Sequence, residues 1–272
     1  MAQARDRGFL WRVTKGDHSS YLYGTIHIAR REWVFPGPKV TQALRDADTV
    51  ALELDPLDPK TLESLGSGLK RAPVVEVPAE LKERIEHRRE VECAAPEAFE
   101  KLTPGMQVMV LTFLAARRDG LDVAYGIDGV LAGFARGSKK RVVALETTET
   151  QLRALTRGGT VASLGKAMDE IESGRAVAKL SLLANMWADA DAGQFEREGE
   201  AAVDSDSDGE RALMAELLDA RNPGLASGID ALHGSGSKVF AAVGALHMLG
   251  PRGLPSLMAE KGYRVETISL TP

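Results

Sequence analysis

The chain has 272 residues, 44% of them hydrophobic, enough to bury a sizeable core, and a net charge of −5. That balance offers no basic surface for phosphate neutralisation, so nucleic acid is not an expected partner. The single cysteine, Cys93, excludes an internal disulfide, and no apolar run reaches the ~20 residues that a membrane-spanning helix needs.

Phe9 to Val13 and Ser20 to Tyr23 flank the turn Lys15-Gly16-Asp17, which predicts an N-terminal β-hairpin. Its second strand runs into Gly24-Thr25-Ile26-His27. Past Pro36-Gly37-Pro38, the residues Val40, Ala43, Leu44 and Ala47 recur at helical spacing, and Thr49 to Leu54 reads as a buried strand. Strand, helix, strand is the βαβ signature of a parallel sheet. Asp55-Pro56-Leu57-Asp58-Pro59 then stops the chain. Pro73 to Val77 is a further strand candidate, Ala79 to Val91 a salt-laced exposed helix and Pro96 to Arg118 another helix. Gly126-Ile127-Asp128-Gly129 opens the next helix with Asp128 as its expected N-cap, and Arg141 to Leu145 is a strand.

From Thr148 to Leu232 almost everything reads as helical, broken at Gly158-Gly159, Gly174 and the acidic run near Asp204. This block is too long for one crossover helix, and a helical insertion able to lie over the strand ends accounts for it. Val239 to Gly244, VFAAVG, is a fully buried strand that delivers Ala245-Leu246-His247. Leu254 to Lys261 and Tyr263 to Leu270 add a helix and a strand. The expected architecture is α/β: a mainly parallel central sheet flanked by helices, with an N-terminal β-hairpin and a helical insertion over about 148–232, all in one domain of residues 1–272.

Two of the strands end in Gly-x-x-His, at Gly24 to His27 and Gly244 to His247, and two end in Val-Ala-Leu-Glu, at Glu53 and Glu146. With 27 glycines in the chain, a histidine has about a one in ten chance of a glycine three before it, so position matters more than recurrence. All four side chains follow runs that should be buried, where an ionisable group needs a ligand, a metal or a partner. Gly24 and Gly244 would allow a tight turn or positive φ that folds the histidine back over the sheet edge. Imidazole with carboxylate is a ligand set for zinc, manganese, iron or cobalt, which would make His27, His247 and Glu53 the metal ligands. The same residues serve a metal-free mechanism in which a glutamate orients an imidazole base.

Arg221, before Asn222-Pro223, is placed where a helix ends and would reach a substrate carboxylate or a developing oxyanion. Asp128 is expected to orient a ligand, and Gly24, Glu146, Asn222 and Gly244 complete the candidate substrate-binding or supporting set. Asp204 to Gly209 imitates the start of a calcium loop, but Ala215 stands where the bidentate glutamate belongs, so a polar loop with Asp208 capping the next helix is the reading. His18, His87 and His233, in a turn, a charged helix and a loop, receive no role.

The motifs LYGTIHI (Leu22 to Ile28), ALELD (Ala51 to Asp55), YGID (Tyr125 to Asp128), ALET (Ala144 to Thr147), ARN (Ala220 to Asn222) and VGALHMLGPRGLPSLMAEKGYRVETI (Val243 to Ile268) resemble the TraB/GumN proteins, related to the Tiki metalloproteases. The resemblance implies a fold similar to erythromycin esterases and the haem-binding ChaN proteins, with His27, His247 and Glu53 at the active centre. The first reading of the residues is a metal-dependent hydrolase of peptide bonds, with Glu53 as ligand or general base and Arg221 as anion clamp; the resemblance to Tiki proteins, which look like manganese- or cobalt-dependent peptidases, favours those two metals, with zinc possible. The alternatives are a metal-free esterase-like hydrolase and a non-catalytic haem- or ligand-binding protein. The expected partner is a peptide or small-molecule substrate, with oligomeric state left open. A chain starting just before its first strand would be periplasmic or secreted if a signal peptide has been trimmed away, and cytoplasmic otherwise.

Overall fold

The computed structural model of the protein describes residues 4–69, 76–156, 160–203 and 214–270. Their strands form a six-stranded mixed sheet: β1 (Phe9–Lys15), β2 (His18–Thr25), β3 (Thr49–Leu52), β4 (Arg141–Ala144), β5 (Val239–Gly244) and β6 (Arg264–Ile268), in the order β4-β3-β5-β2-β1-β6. The expected hairpin is β1–β2, antiparallel and turning at Gly16 with φ +69°. β4, β3, β5 and β2 run parallel, with β5 inserted between β3 and β2. Thr25 is thereby set opposite Gly244, so the two Gly-x-x-His motifs leave neighbouring strand ends.

Alternation along the strands splits the core into two faces. Phe240 and Ala242 of β5 face one layer with Leu10, Tyr23 and Leu52, covered by α1 (Pro38–Asp46), α6 (Ile127–Gly137) and the end of α9 (Arg175–Ala188). Val239, Ala241 and Val243 face the other with Leu22 and Ala51, covered by α11 (Asn222–Gly234) and α12 (Leu254–Glu260). β5 is buried throughout, as its composition requires. β4 departs from expectation: it is an edge strand whose residues are exposed or half-buried, so Glu146 follows a run that is only partly covered.

A third cluster belongs to helices alone. α3 (Ala79–Val91), α4 (Pro96–Phe99) and α5 (Pro104–Ala115), from the β3–β4 connection, pack through Leu81, Ile85, Phe99, Val108 and Leu111 onto Leu164, Met168 and Ile171 of α8 (Val161–Glu172). The helical excursion after β4 thus shares its core with one that precedes it. Pro96 to Arg118 is not one helix, because Pro104 opens a second helix at its N-terminal turn. α2 (Pro59–Leu69) was not expected. It buries no residue fully and packs on α7 (Thr148–Thr156) after β4, so its sequence has only a weak apolar stripe to read. α10 spans Ala192–Val203.

The strand expected at Pro73 lies mostly outside the described residues, as do the Gly158-Gly159 break and the run Asp204 to Gly209. Arg221-Asn222-Pro223 follows the end of one helical segment, as expected, and also starts the next: Pro223 sits in the first turn of α11, where a missing N–H costs nothing. Just before it, Ala215–Asp219 forms a π-helical turn. His233 is no loop residue. It is buried on α11, stacked on His18 with ring centroids 3.9 Å apart, bonded to Ser20 Oγ at 2.8 Å and to the carbonyl of Lys15 at 2.9 Å. Every ring nitrogen of His233 is engaged, which makes this pair a structural clasp at the end of the sheet opposite the Gly-x-x-His motifs.

Candidate functional site

The carboxyl ends of the four parallel strands converge on one crevice, the place where open α/β sheets present ligand-binding groups. Glu53 leaves β3 and Glu146 leaves β4 beside it, with the Glu146 N–H donating to the Glu53 carbonyl at 3.0 Å. The Arg221 guanidinium joins the two carboxylates: Nη2 donates to Glu53 Oε2 at 2.5 Å and to Glu146 Oε2 at 2.8 Å, while Nε donates to Glu146 Oε1 at 2.9 Å. These three side chains are 9% exposed or less. In the π-helical turn the carbonyl of Leu217 takes the remaining Nη1 at 2.9 Å, so all the Arg221 nitrogens point inward.

Burial raises the pKa of Glu53, but His247, His27, Arg221 and the Gly244 N–H outweigh it and hold the carboxyl down at about 2. The Gly244 N–H donates to Glu53 Oε1 at 2.8 Å. Burial pushes the Glu146 carboxyl up, only partly countered by Arg221. A side chain that sequence did not single out, Gln151 on α7, reaches Glu53 Oε2 at 3.5 Å. Nothing in the sequence marked it, since its relevance comes from the packing of α7.

The two histidines are held alike. His247 lies in a short 3₁₀ turn after β5, and its Nδ1 donates to Asn222 Oδ1 at 2.6 Å. The amide orientation is consistent, because Asn222 Nδ2 donates to the carbonyls of Arg252 at 2.8 Å and His247 at 3.5 Å. His247 Nε2 is left facing Glu53 Oε1 at 4.0 Å. His27 Nδ1 donates to Asp128 Oδ2 at 2.9 Å, leaving its Nε2 without a hydrogen-bond partner among the described residues. Asp128 is therefore not the N-cap of α6. Gly126 occupies that position, and the Asp128 carboxylate is turned from its own helix to His27 and Thr25. The loop beyond β2 is pinned there by Ile127 N–H to the Ile26 carbonyl at 3.0 Å and by paired bonds between Ala29 and Asp122.

Their electrostatics diverge. Asp128 raises the His27 pKa to about 9, against some desolvation, although 61% of the side chain is open to solvent. Burial lowers His247 to about 4, so that ring is neutral at pH 7.

The glycines act through space rather than conformation, since neither has positive φ. A Cβ on Gly244 would stand 3.2 Å from Glu53 Oε1, 3.6 Å from His247 Cδ2 and 3.8 Å from His27 Nε2. The missing methyl leaves a small seat bordered by all three side chains. Gly24 lies away from it, packed against Ala245 and Phe9.

For a metal ion the donor chemistry fits: two imidazoles with Nδ1 tied down and Nε2 free, beside a carboxylate that keeps spare lone pairs. The donors border one seat without closing on it. Among the described residues no group of three or more His, Cys, Asp or Glu meets the geometry for holding an ion.

One mixed sheet flanked by helices, with imidazoles and buried carboxylates at its parallel strand ends, defines an α/β protein whose candidate site lies at the sheet's carboxyl edge. Within that class, the family model for the TraB/PrgY/gumN family matches residues 9–267, and the chain belongs to this family. It is 43% identical to the metalloprotease TIKI1 of Danio rerio over 58 residues, 21% of this chain and 12% of the relative. It is 26% identical to the uncharacterized protein YbaP of Shigella flexneri over 142 residues, 52% of this chain and 53% of that protein. The chain thus spans well under two thirds of either relative. No solved structure matches. Among the described residues no helix is long and apolar enough to cross a membrane.

Proposed function

We propose that the protein is a hydrolase, a metal-dependent peptidase working in the crevice beyond β2, β5 and β3. The observation that carries this reading is the seat beside Gly244, bordered by His27 Nε2, the His247 ring and Glu53 Oε1, with both imidazoles anchored at Nδ1. The partial likeness to a protein named as a metalloprotease supports it.

His27, His247 and Glu53 would hold the divalent ion, manganese or cobalt in preference to zinc. When bound, the ion would polarise a scissile carbonyl and lower the pKa of water. Asp128 and Asn222 hold the two rings by their outer nitrogens. Arg221 neutralises Glu53 and ties it to Glu146, which keeps an otherwise costly pair of buried carboxylates in place. With its donors turned inward, Arg221 serves the carboxylates rather than clamping a substrate anion. Peptides are the substrate class, and His27, as the solvent-open member, is where they would enter.

The metal-free alternative has its own motive: Asp128 favours the protonated form of His27 while burial keeps His247 neutral, an acid and a base already separated in the same crevice. One experiment decides between the two. Metal content and cleavage of a peptide library are measured for wild type, His27→Ala, Glu53→Gln and His247→Ala, with and without manganese, cobalt or zinc. Cleavage that requires metal and is lost in all three variants supports the proposal. Cleavage undiminished after chelation transfers the chemistry to the imidazole pair, and no hydrolysis under any condition rejects the hydrolase reading.

A further inference from the structure

Thr25 is the residue of the first Gly-x-x-His motif that no role has yet explained. It is 1% exposed, at the last position of β2, in register with Gly244. Its hydroxyl lies 2.7 Å from Asp128 Oδ1, while Asp128 Oδ2 accepts from His27 Nδ1 at 2.9 Å. In that first bond the Thr25 hydroxyl is the donor.

The consequence is geometric. A carboxylate held at one oxygen rotates about its Cβ–Cγ bond, whereas one held at both oxygens by groups two residues apart has its plane fixed. Backbone contacts already fix the segment around Asp128 relative to the His27 loop, through Ile127 to Ile26 and through Gly126, where a Cβ would fall 2.6 Å from the His27 carbonyl. What those contacts leave free is the carboxylate torsion. The Thr25 hydroxyl is the only side-chain donor on Oδ1 among the described residues.

We propose that Thr25 is a positioning residue of the crevice: by donating its hydroxyl proton to Asp128 Oδ1 it sets the carboxylate plane, so that Oδ2 holds His27 Nδ1 and His27 Nε2 is aimed at the seat beside Gly244. Within the proposed hydrolase it acts through Asp128 and His27 and touches neither metal nor substrate. A β-branched residue at a buried strand end has a structural reading too, packing and strand propensity alone. The two readings part on substitution, since valine keeps the shape and the branching and removes only the hydroxyl.

The test uses the full chain without metal, labelled with ¹⁵N histidine, as wild type, Thr25→Val, Thr25→Ser and Thr25→Ala, each checked for wild-type amide spectra and Tm. The expected result is a His27 Nδ1 proton that is protected from solvent exchange in wild type and Thr25→Ser and exchanges at least tenfold faster in Thr25→Val. Metal affinity, titrated with manganese and cobalt, should weaken about 10- to 100-fold in Thr25→Val and return in Thr25→Ser. In an Asp128→Asn background, Thr25→Val should cost nothing further, the non-additivity of residues that act in series.

An unchanged His27 Nδ1 proton in folded Thr25→Val overturns the inference, as does full additivity with Asp128→Asn. If Thr25→Val does not fold, the comparison of Thr25→Ala with Thr25→Ser carries the same decision. Should the wild type bind no metal and cleave nothing, the hydrolase reading fails while the exchange measurement still decides what Thr25 does.

Discussion

Asn222 Oδ1 accepts the Nδ1 proton of His247 at 2.6 Å, and this one bond fixes both the tautomer of the ring and its direction. It ties the first turn of α11 to the turn after β5, and so gives Asn222, expected only as part of the supporting set, a definite partner. Replacing Asn222 with alanine should lower metal affinity and cleavage about 10- to 100-fold. It also strips the Arg252 carbonyl of its donor inside the fold, at a cost of about 1–3 kcal/mol. Isothermal titration with cobalt and urea unfolding measure the two effects separately. Affinity left intact would mean that the ring is held by packing instead.

Gly244→Ala tests the seat directly. The backbone there has φ −47° and ψ 136°, which alanine adopts without strain, so the variant should fold with Tm within a few degrees of wild type. Its Cβ would press on Glu53 Oε1 at 3.2 Å and fill the space between the two imidazoles. Metal binding and hydrolysis should both disappear from a well-folded protein. Retained affinity would place the ion elsewhere.

Arg221→Met should be the most destabilising change in the crevice, because it leaves Glu53 and Glu146 buried without their cation. Breaking one side of such a cluster costs about 3–5 kcal/mol. Lysine should recover little, since it cannot reproduce the forked contact with Glu146. Adding Glu53→Gln and Glu146→Gln to Arg221→Met should restore much of the lost stability, which chemical denaturation can follow across the series.

The metal-free protein should be most stable near neutral pH. Glu53 binds its proton less readily when folded, so its contribution is complete above the unfolded value of 4.5 and is lost as pH falls towards 2. His247 has the same sense, with stability lost as pH drops from 6.5 through about 4. His27 has the opposite sense: the pairing with Asp128 is fully present below 6.5 and is lost as pH rises towards 9. Thermal melts between pH 3 and 10 should therefore fall at both ends, and Asp128→Asn should flatten only the alkaline side.

The strand ends were readable because burial and period coincide there. VFAAVG admits only a covered strand, and the paired Gly-x-x-His motifs emerge side by side as β2 and β5. Asp128 was expected to orient a ligand group, and its carboxylate does meet His27, though its capping role belongs to Gly126. Other features depend on packing that no local pattern encodes. The Arg221 guanidinium is held in part by the Leu217 carbonyl of a π-helical turn, and Pro223 opens a new helix directly after the expected stop. Gln151 meets Glu53 only because α7 lies across the end of β3. The glycines were expected to bend the chain, yet what Gly244 supplies is room.

Because β5 lies between β3 and β2, the sheet has no continuous centre until residues 239–244 are in place. The β4–β3 pair and the β2–β1 hairpin both precede β5 in the chain, and without β5 each has an unpaired inner edge. Residues 239–247 join them and bring His247 to His27 and Glu53 together. A chain ending before Lys238 would hold His27, Glu53, Glu146 and Arg221 with no β5 to set them beside His247. Such a chain would also present open strand edges to chaperones and to other copies of itself. The candidate site is therefore closed by β5: its two histidines meet only once residues 239–247 stand between β3 and β2.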